Sequence, residues 1–403
     1  MKVLFLTDSL SDLDGVGRYT MRLIAAMQEI EPSLEPVILL ARKHRPTSKS
    51  IPKDWHVEVA LPPDYFFYMS RMRFLVSRLQ SVWRVWRHAK GATLIHAIKD
   101  YPHNLVGAQA AKLAGIPCVA TAHGTYSVQP LLDSRHEARA RKTYGAFAAM
   151  ISVSNYTRRR LVGLLAAKDG GPQRGGLDPK RIHVVPNCVD ASHYVADRGL
   201  GHRPWHDVPY TLGIGEVKER KGHHLSLAAF LRVAPKYPDL HHFLVGRLSA
   251  DVYEQDLRRM VADAGMQQRV HFLGNIEEDE KVDLLQRSEI FLHTPVTADD
   301  GGFEGFGIVY LEASAAGTAC IGSQDCGAED AIVDGKTGLL VEQTVDAVEA
   351  GLNRLMGDDA LRSQMGSFGR TYAGEVTWAM NARSVLDIYG DILGKSLGSQ
   401  TGK

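Results

Sequence analysis

Residues Phe303 to Glu342 read FEGFGIVYLEASAAGTACIGSQDCGAEDAIVDGKTGLLVE, preceded by the pair Gly301-Gly302. The opening places glycines on both sides of a carboxylate, Glu304. From about Phe306 to Ala316 the residues suit a helix that is apolar on most of its sides. A short strand is expected over Thr318 to Ile321, then a glycine-rich turn. Loop, helix and strand in this order have the form of a phosphate-binding α/β unit. The first backbone N–H groups of a helix lack partners and lie at the positive end of its dipole, so they attract anions.

Two glutamates make the stretch more than a generic loop. Glu304 precedes the helix and Glu312 lies eight positions on. At helical rise that interval is about 12 Å, roughly the span of a nucleotide-sugar diphosphate. One carboxylate can then hold sugar hydroxyls and the other ribose hydroxyls, with the phosphates between them. A glutamate at a helix start also simply complements the dipole, and that reading stays open for Glu304. Glu312 sits among Ile308, Val309, Leu311, Ala313, Ala315 and Ala316, and a carboxylate buried there is costly unless hydrogen-bonded.

The ordered pattern E-x7-E, an Ala/Gly-rich helix, Gly327-Ala328-Glu329, and Asp334-Gly335-Lys336-Thr337-Gly338-Leu339-Leu340-Val341 resembles the retaining nucleotide-sugar glycosyltransferases of family 4. That resemblance implies the α/β GT-B fold: two Rossmann-like domains facing a central cleft, with a C-terminal helix crossing back to the first. The expected boundaries are 1–195, completed by 377–395, for the acceptor-side domain and 205–376 for the donor-binding one.

Composition agrees with a globular chain. The 403 residues are 44% hydrophobic and 23% charged, and no apolar run approaches a membrane span. The start, MKVLFLTDSL, has too short a core for a signal peptide and reads as a first buried strand. Cys118, Cys188, Cys320 and Cys326 lack metal-ligand spacing, so reduced thiols in the cytoplasm are expected. The net charge of +1 conceals a split: residues 1–190 carry 27 Lys and Arg against 15 Asp and Glu, and residues 191–403 carry 20 against 31. The first half is therefore expected to face something anionic. No nucleic-acid motif is present.

Residues 65–99 contain no acidic side chain. Met72, Leu75, Val76, Leu79, Val82, Trp83 and Trp86 recur there at helical spacing among Arg71, Arg73, Arg78, Arg84, Arg87 and Lys90. A helix over 71–90 on an anionic, peripheral membrane surface and a domain helix with its stripe packed inward share this pattern.

Near the start, an apolar strand over residues 2–7 leads into the glycine-rich turn Asp12–Gly17 and a helix from Arg18 carrying Tyr19, Leu23, Ile24 and Met27 on one face. The family resemblance places Gly15 and Gly17 at the donor diphosphate. Asp12-Leu13-Asp14 reads as loop polarity, because the resemblance implies no metal and no cofactor beyond the donor substrate. Strands over Thr93–His96 and Pro117–Ala122 each end in a histidine, with a structural histidine as the alternative reading. The resemblance singles out His123 as touching the donor sugar. In Glu216-Val217-Lys218-Glu219-Arg220-Lys221-Gly222 the family's usual arginine is replaced by Glu216. Lys221 then becomes the diphosphate cation, with Arg220 or Lys218 as the substitute.

The activity so implied is transfer of a hexose-type sugar from a UDP- or GDP-sugar to a hydroxyl of a glycan or lipid-linked acceptor. Glu304, His123 and Lys221 carry it, and Gly15, Gly17, Arg220, Gly305, Phe306, Gly307 and Glu312 bind the donor. A nucleotide-sugar epimerase of the same fold is the alternative. An NAD-dependent dehydrogenase is disfavoured because Asp14-Gly15-Val16-Gly17-Arg18-Tyr19-Thr20 lacks the third glycine of G-x-G-x-x-G. A non-catalytic sugar-binding protein is expected to be exported, which the N-terminus does not favour.

Overall fold

The structure is a computed structural model and describes residues 1–11, 14–41, 51–63, 67–166, 176–394 and 397. Asp12 and Leu13, most of residues 169–178 and most of residues 394–403 lie outside the described residues. The chain forms two compact units, Met1–Asn187 with Trp378–Lys403, and Cys188–Thr377.

The first unit runs β1 (Lys2–Thr7), α1 (Gly15–Ile30), β2 (Glu35–Ala41), β3 (His56–Leu61), α2 (Arg71–Ala89), β4 (Leu94–Ala97), α3 (His103–Ala114), β5 (Cys118–Ala122), α4 (Thr125–Leu132), α5 (Glu137–Gly145), β6 (Ala149–Ser152), α6 (Asn155–Leu165) and β7 (Ile182–Val184). The strands pair in parallel in the order β3-β2-β1-β4-β5-β6-β7. Val3, Leu4, Phe5 and Leu6 of β1 are fully buried, as a parallel strand covered on both faces requires. The order reverses between β1 and β4, and ligands of open α/β sheets bind beyond the carboxyl ends at such a point.

Helix α1 begins at Gly15, ahead of the expected Arg18, so Gly15 and Gly17 are helical rather than part of a turn. Asp14 causes this: its Oδ1 accepts from the Gly17 amide at 2.7 Å, and Ser9 Oγ steadies the other oxygen at 2.6 Å. Tyr19, Leu23, Ile24 and Met27 are buried as the periodicity requires.

The apolar residues of α2 divide between two faces. Phe74, Val82 and Val85 are buried, whereas Met72, Leu75, Val76, Leu79 and Trp83 are exposed, Met72 by 70% and Trp83 by 53%.

The second unit runs β8 (Tyr210–Ile214), α7 (His223–Val233), β9 (His241–Val245), α8 (Val252–Asp263), β10 (Val270–Gly274), α9 (Glu278–Arg287), β11 (Ile290–Leu292), α10 (Ile308–Ala316), β12 (Cys320–Ser323), α11 (Ala328–Ala331), β13 (Gly338–Val341), α12 (Val345–Met356) and α13 (Asp359–Glu375). Its six strands are also parallel, in the order β10-β9-β8-β11-β12-β13. This is the dinucleotide-fold order, with its switch point between β8 and β11. Residues 188–195, placed with the first domain by sequence, pack in this unit. Buried Tyr194 draws them in: its carbonyl accepts from Gln286 Nε2 at 2.8 Å and its hydroxyl meets Lys281 Nζ at 3.4 Å.

The last helix, α14 (Trp378–Leu393), returns to the first unit. Its Ala382, Val385, Leu386 and Tyr389 share one apolar cluster with Leu23, Ile24 and Met27 of α1. Tyr389 Oη lies 2.6 Å from His96 Nδ1, and Thr121 Oγ1 holds His96 Nε2 at 2.7 Å. His96 is thus a fully buried structural histidine inside β4, with burial holding its pKa down at about 3.

Candidate functional site

In the second unit three loops meet at the carboxyl ends of β8, β11 and β12. The β8 loop ends at Gly222, whose φ is +65°. A Cβ there would lie 1.7 Å from the Thr294 carbonyl oxygen, so only glycine permits this approach. Thr294 Oγ1 donates to the Gly222 carbonyl at 3.2 Å, and the Val296 amide donates to the Arg220 carbonyl at 3.0 Å. The β12 loop closes from the other side, where the Gly327 amide donates to the Glu304 carbonyl at 2.8 Å.

This lacing brings three expected residues together. Lys221 Nζ donates to Glu304 Oε2, and Arg220 Nη1 stands 3.8 Å from the same oxygen. The Glu304 side chain is 11% exposed and that of Lys221 16%. Burial by itself would push the Glu304 carboxyl up, but the Lys221 charge, the nearby His293 imidazole and the Arg220 charge outweigh it and hold the group well below the usual range. Burial lowers the Lys221 ammonium in turn, with Glu304 opposing and Arg220 assisting the shift. Glu304 is therefore an ionised, nearly dry carboxylate beside two cations.

Of the two expected substitutes for the missing arginine, Arg220 faces Glu304, while Lys218 Nζ is turned to Glu216 at 2.8 Å. Arg247, which follows β9 and was not singled out by the sequence, also pairs with Glu216. The acidic replacement thus draws a cation from the segment that follows the neighbouring strand β9.

Gly305, Phe306 and Gly307 lead into α10, which begins at Ile308 rather than Phe306 because Gly307 takes a left-handed φ of +82°. The helical spacing expected between Glu304 and Glu312 consequently applies only from Ile308 on. Glu312 is buried at 3% exposure, and its Oε2 lies 3.2 Å from Lys281 Nζ on α9. Lys281 also pairs with Glu278 at 2.9 Å. The cost of burying Glu312 is met by a cation that the local pattern does not announce.

In the first unit, His123 follows β5. Its Nε2 lies 3.0 Å from the Ile98 carbonyl, which fixes the proton on that nitrogen and leaves Nδ1 as an acceptor. Its ring meets Tyr19 edge-on at 5.0 Å. Burial, aided by the Lys99 charge, lowers its pKa to about 4, so the ring is neutral at physiological pH. Asp100 beside it is 2% exposed and accepts from Ser127 Oγ and, at 3.4 Å, from the His123 amide. Burial raises its pKa to about 6 despite those bonds and Lys99. Lys99 pairs with buried Asp8 at 2.5 Å. Gly17 allows a close approach, since a Cβ would lie 2.6 Å from the backbone of Ser11, whereas Gly15 has open space around it.

Among the described residues, one group of three side chains could hold a metal ion: His56 and Glu58 on edge strand β3 with His88 on α2. None of the three is an expected site residue. Among the described residues, no helix is long and apolar enough to cross a membrane.

Residues 13–193 match the family model described as Glycosyltransferase Family 4, and residues 202–372 match Glycosyl transferases group 1. The chain is 31% identical over 282 residues to a GDP-mannose-dependent alpha-(1-6)-phosphatidylinositol monomannoside mannosyltransferase of Mycolicibacterium smegmatis, covering 68% of this chain and 69% of that protein. It is 36% identical over 283 residues to the GDP-mannose-dependent monoacylated alpha-(1-6)-phosphatidylinositol monomannoside mannosyltransferase of Corynebacterium glutamicum, covering 69% and 70%. Among solved structures, Anabaena HepE in complex with UDP and glucose superposes with a TM-score of 0.75 at 19% identity, covering 97% of this chain and 100% of that one. Sucrose-phosphate synthase from Thermosynechococcus elongatus gives 0.73 at 19%, covering 98% and 100%.

Proposed function

Because the chain belongs to glycosyltransferase family 4 and is a glycosyltransferase of the GT-B fold, we propose that it moves a hexose, with retention, from a nucleotide-diphosphate donor to a hydroxyl of a lipid-linked glycan. The observation that carries this reading is the convergence of Lys221 and Arg220 on the Glu304 carboxylate at the carboxyl edge of the second sheet. Two cations beside the loop that leads into the N-terminus of α10, the positive end of its dipole, suit a departing diphosphate, and stabilising charge that grows in the transition state is usually the largest catalytic term. Glu304 then orients the donor sugar, and Glu312 holds the ribose. The leaving phosphate accepts the proton of the acceptor hydroxyl, so no protein nucleophile is assigned. With lysine and arginine in this role, turnover is expected to be indifferent to EDTA.

GDP-mannose is the donor favoured by the two relatives above 30% identity, both named as GDP-mannose-dependent enzymes acting on phosphatidylinositol mannosides. A lipid-borne acceptor also accounts for α2. Its exposed Met72, Leu75, Val76, Leu79 and Trp83 are flanked by arginines, and Arg87 stacks over Trp83 at 4.9 Å. An apolar stripe rimmed by cations suits peripheral attachment to an anionic membrane, on its cytoplasmic face.

The test is nucleotide release from GDP-mannose, UDP-glucose and ADP-glucose, with and without EDTA and with or without vesicles of anionic lipid carrying phosphatidylinositol mannosides. Slow release of GDP, accelerated by the acceptor vesicles and unaffected by EDTA, is expected. Conversion of a donor to its epimer without release would replace this reading with the epimerase.

A further inference from the structure

His293 follows β11 directly and is 1% exposed, yet neither ring nitrogen has a hydrogen-bond partner. The rest of the residue is firmly placed. Its amide donates to the Ile321 carbonyl at 3.1 Å, and Tyr310 Oη donates to its carbonyl at 2.7 Å. Its ring lies among those of His223 at 5.9 Å, Tyr310 at 5.6 Å and Phe291 at 6.1 Å. Nε2 points at Glu304, 4.0 Å from Oε2, which is beyond hydrogen-bond distance. Buried polar groups are almost always satisfied, so an imidazole with both nitrogens idle beside a buried carboxylate requires an explanation.

The explanation follows from what Lys221 and Glu304 must each do. In this structure they satisfy one another. To bind a diphosphate, Lys221 and Arg220 must turn toward the phosphates, and the carboxylate would then be left buried with weakened compensation, a costly state. A neutral imidazole offers one N–H, and an approach of about 1 Å would bring Nε2 into hydrogen-bond distance of Oε2. We propose that His293 is a positioning residue whose Nε2–H takes over Glu304 Oε2 when the donor diphosphate draws Lys221 and Arg220 away. It thereby keeps Glu304 ionised and aimed at the sugar.

This rests on the reading of Lys221 and Glu304 given above. The groups that face the imidazole are Glu304, Lys221, Arg220 and His223. Burial, with Lys221 and Arg220 and against Glu304, lowers the His293 pKa, so the ring is neutral and has a single proton to donate.

The experiment compares His293→Asn, which retains an N–H, with His293→Phe, which fills the space without one. GDP affinity, kcat and KM for GDP-mannose and the pH profile of kcat are measured on the full chain, and each protein is crystallised with GDP. In the wild-type complex, Lys221 is expected on a phosphate and His293 Nε2 within about 3 Å of Glu304. His293→Phe should lower kcat about tenfold to a hundredfold with GDP affinity unchanged, and His293→Asn should recover most of the loss. The acid limb of the kcat profile should move up by about one pH unit in His293→Phe only. If GDP is seated by Lys221 while Glu304 stays clear of His293, or if the two variants behave alike, the positioning role is overturned and the donor site stands. If GDP binds but leaves Lys221 on Glu304, the underlying reading fails with it.

Discussion

Lys281 on α9 holds Glu312 on α10 across 3.2 Å, and the same ammonium reaches Glu278 and the Tyr194 hydroxyl. Glu312 is thus oriented from behind by a cation that already has a second carboxylate. Replacing Glu312 with alanine should leave Lys281 paired with Glu278 while removing the group assigned to the ribose. GDP affinity by calorimetry is expected to fall about tenfold or more. Unchanged affinity would reduce Glu312 to a structural partner of Lys281.

Glu304 should behave differently. Glu304→Ala is expected to lower kcat by about a hundredfold or more while GDP affinity changes less than about threefold. The nucleotide half of the donor does not need this carboxylate, and removing it frees Lys221. Steady-state kinetics beside direct titration with GDP separates the two effects; equal losses in both would place Glu304 in nucleotide binding instead.

Asp100 gives the first unit a pH signature. Burial raises its folded pKa from 3.8 to about 6, so its contribution to stability is fully present below 3.8 and is lost as pH rises through about 6. The loss is on the order of 3 kcal/mol by linkage. Urea unfolding of wild type and Asp100→Asn between pH 4 and 7.5 should show the wild type losing ground to the variant across that window. A constant difference between the two would refute the assignment. His96 and His123, with folded pKa values of about 3 and about 4, act in the opposite direction, which is why the comparison with the variant is needed.

Helix α2 can be tested without knowing the acceptor. The double change Arg84→Glu, Arg87→Glu should weaken binding to vesicles of anionic phosphatidylinositol, with Trp83→Ala adding to the loss. At about 1 kcal/mol per basic residue, the reversal should cost tenfold or more in partition coefficient. Sedimentation with vesicles reads it, and equal partitioning of variant and wild type would return the exposed stripe to some other partner.

Much of this was legible in the sequence, and what was hidden has a common cause. Strands such as KVLFLT announce themselves because a sheet covered on both faces needs unbroken apolar runs. Glu304 and Lys221 stood out through the motifs on either side of them. The partners did not: Lys281 and Arg247 lie on elements whose local patterns are those of ordinary surface charge, and only the fold brings them to Glu312 and Glu216. His293 was equally silent, since an unpaired ring nitrogen has no sequence signature. The compact units divide at Asn187 and Cys188, ahead of the boundary expected near 195, and Tyr194 is committed to the second unit by contacts far along the chain.

Helix α14 carries a consequence for how the protein is made. The first unit's apolar face of α1 is covered by residues at the far end of the chain, and His96 obtains its second hydrogen bond from Tyr389, 293 positions later. A ribosome delivers those residues after the whole of Cys188–Thr377 has emerged. The unit synthesised first is therefore the last to be completed, and the nascent chain lacks the α14 share of the apolar cluster around α1 throughout the synthesis of the second unit.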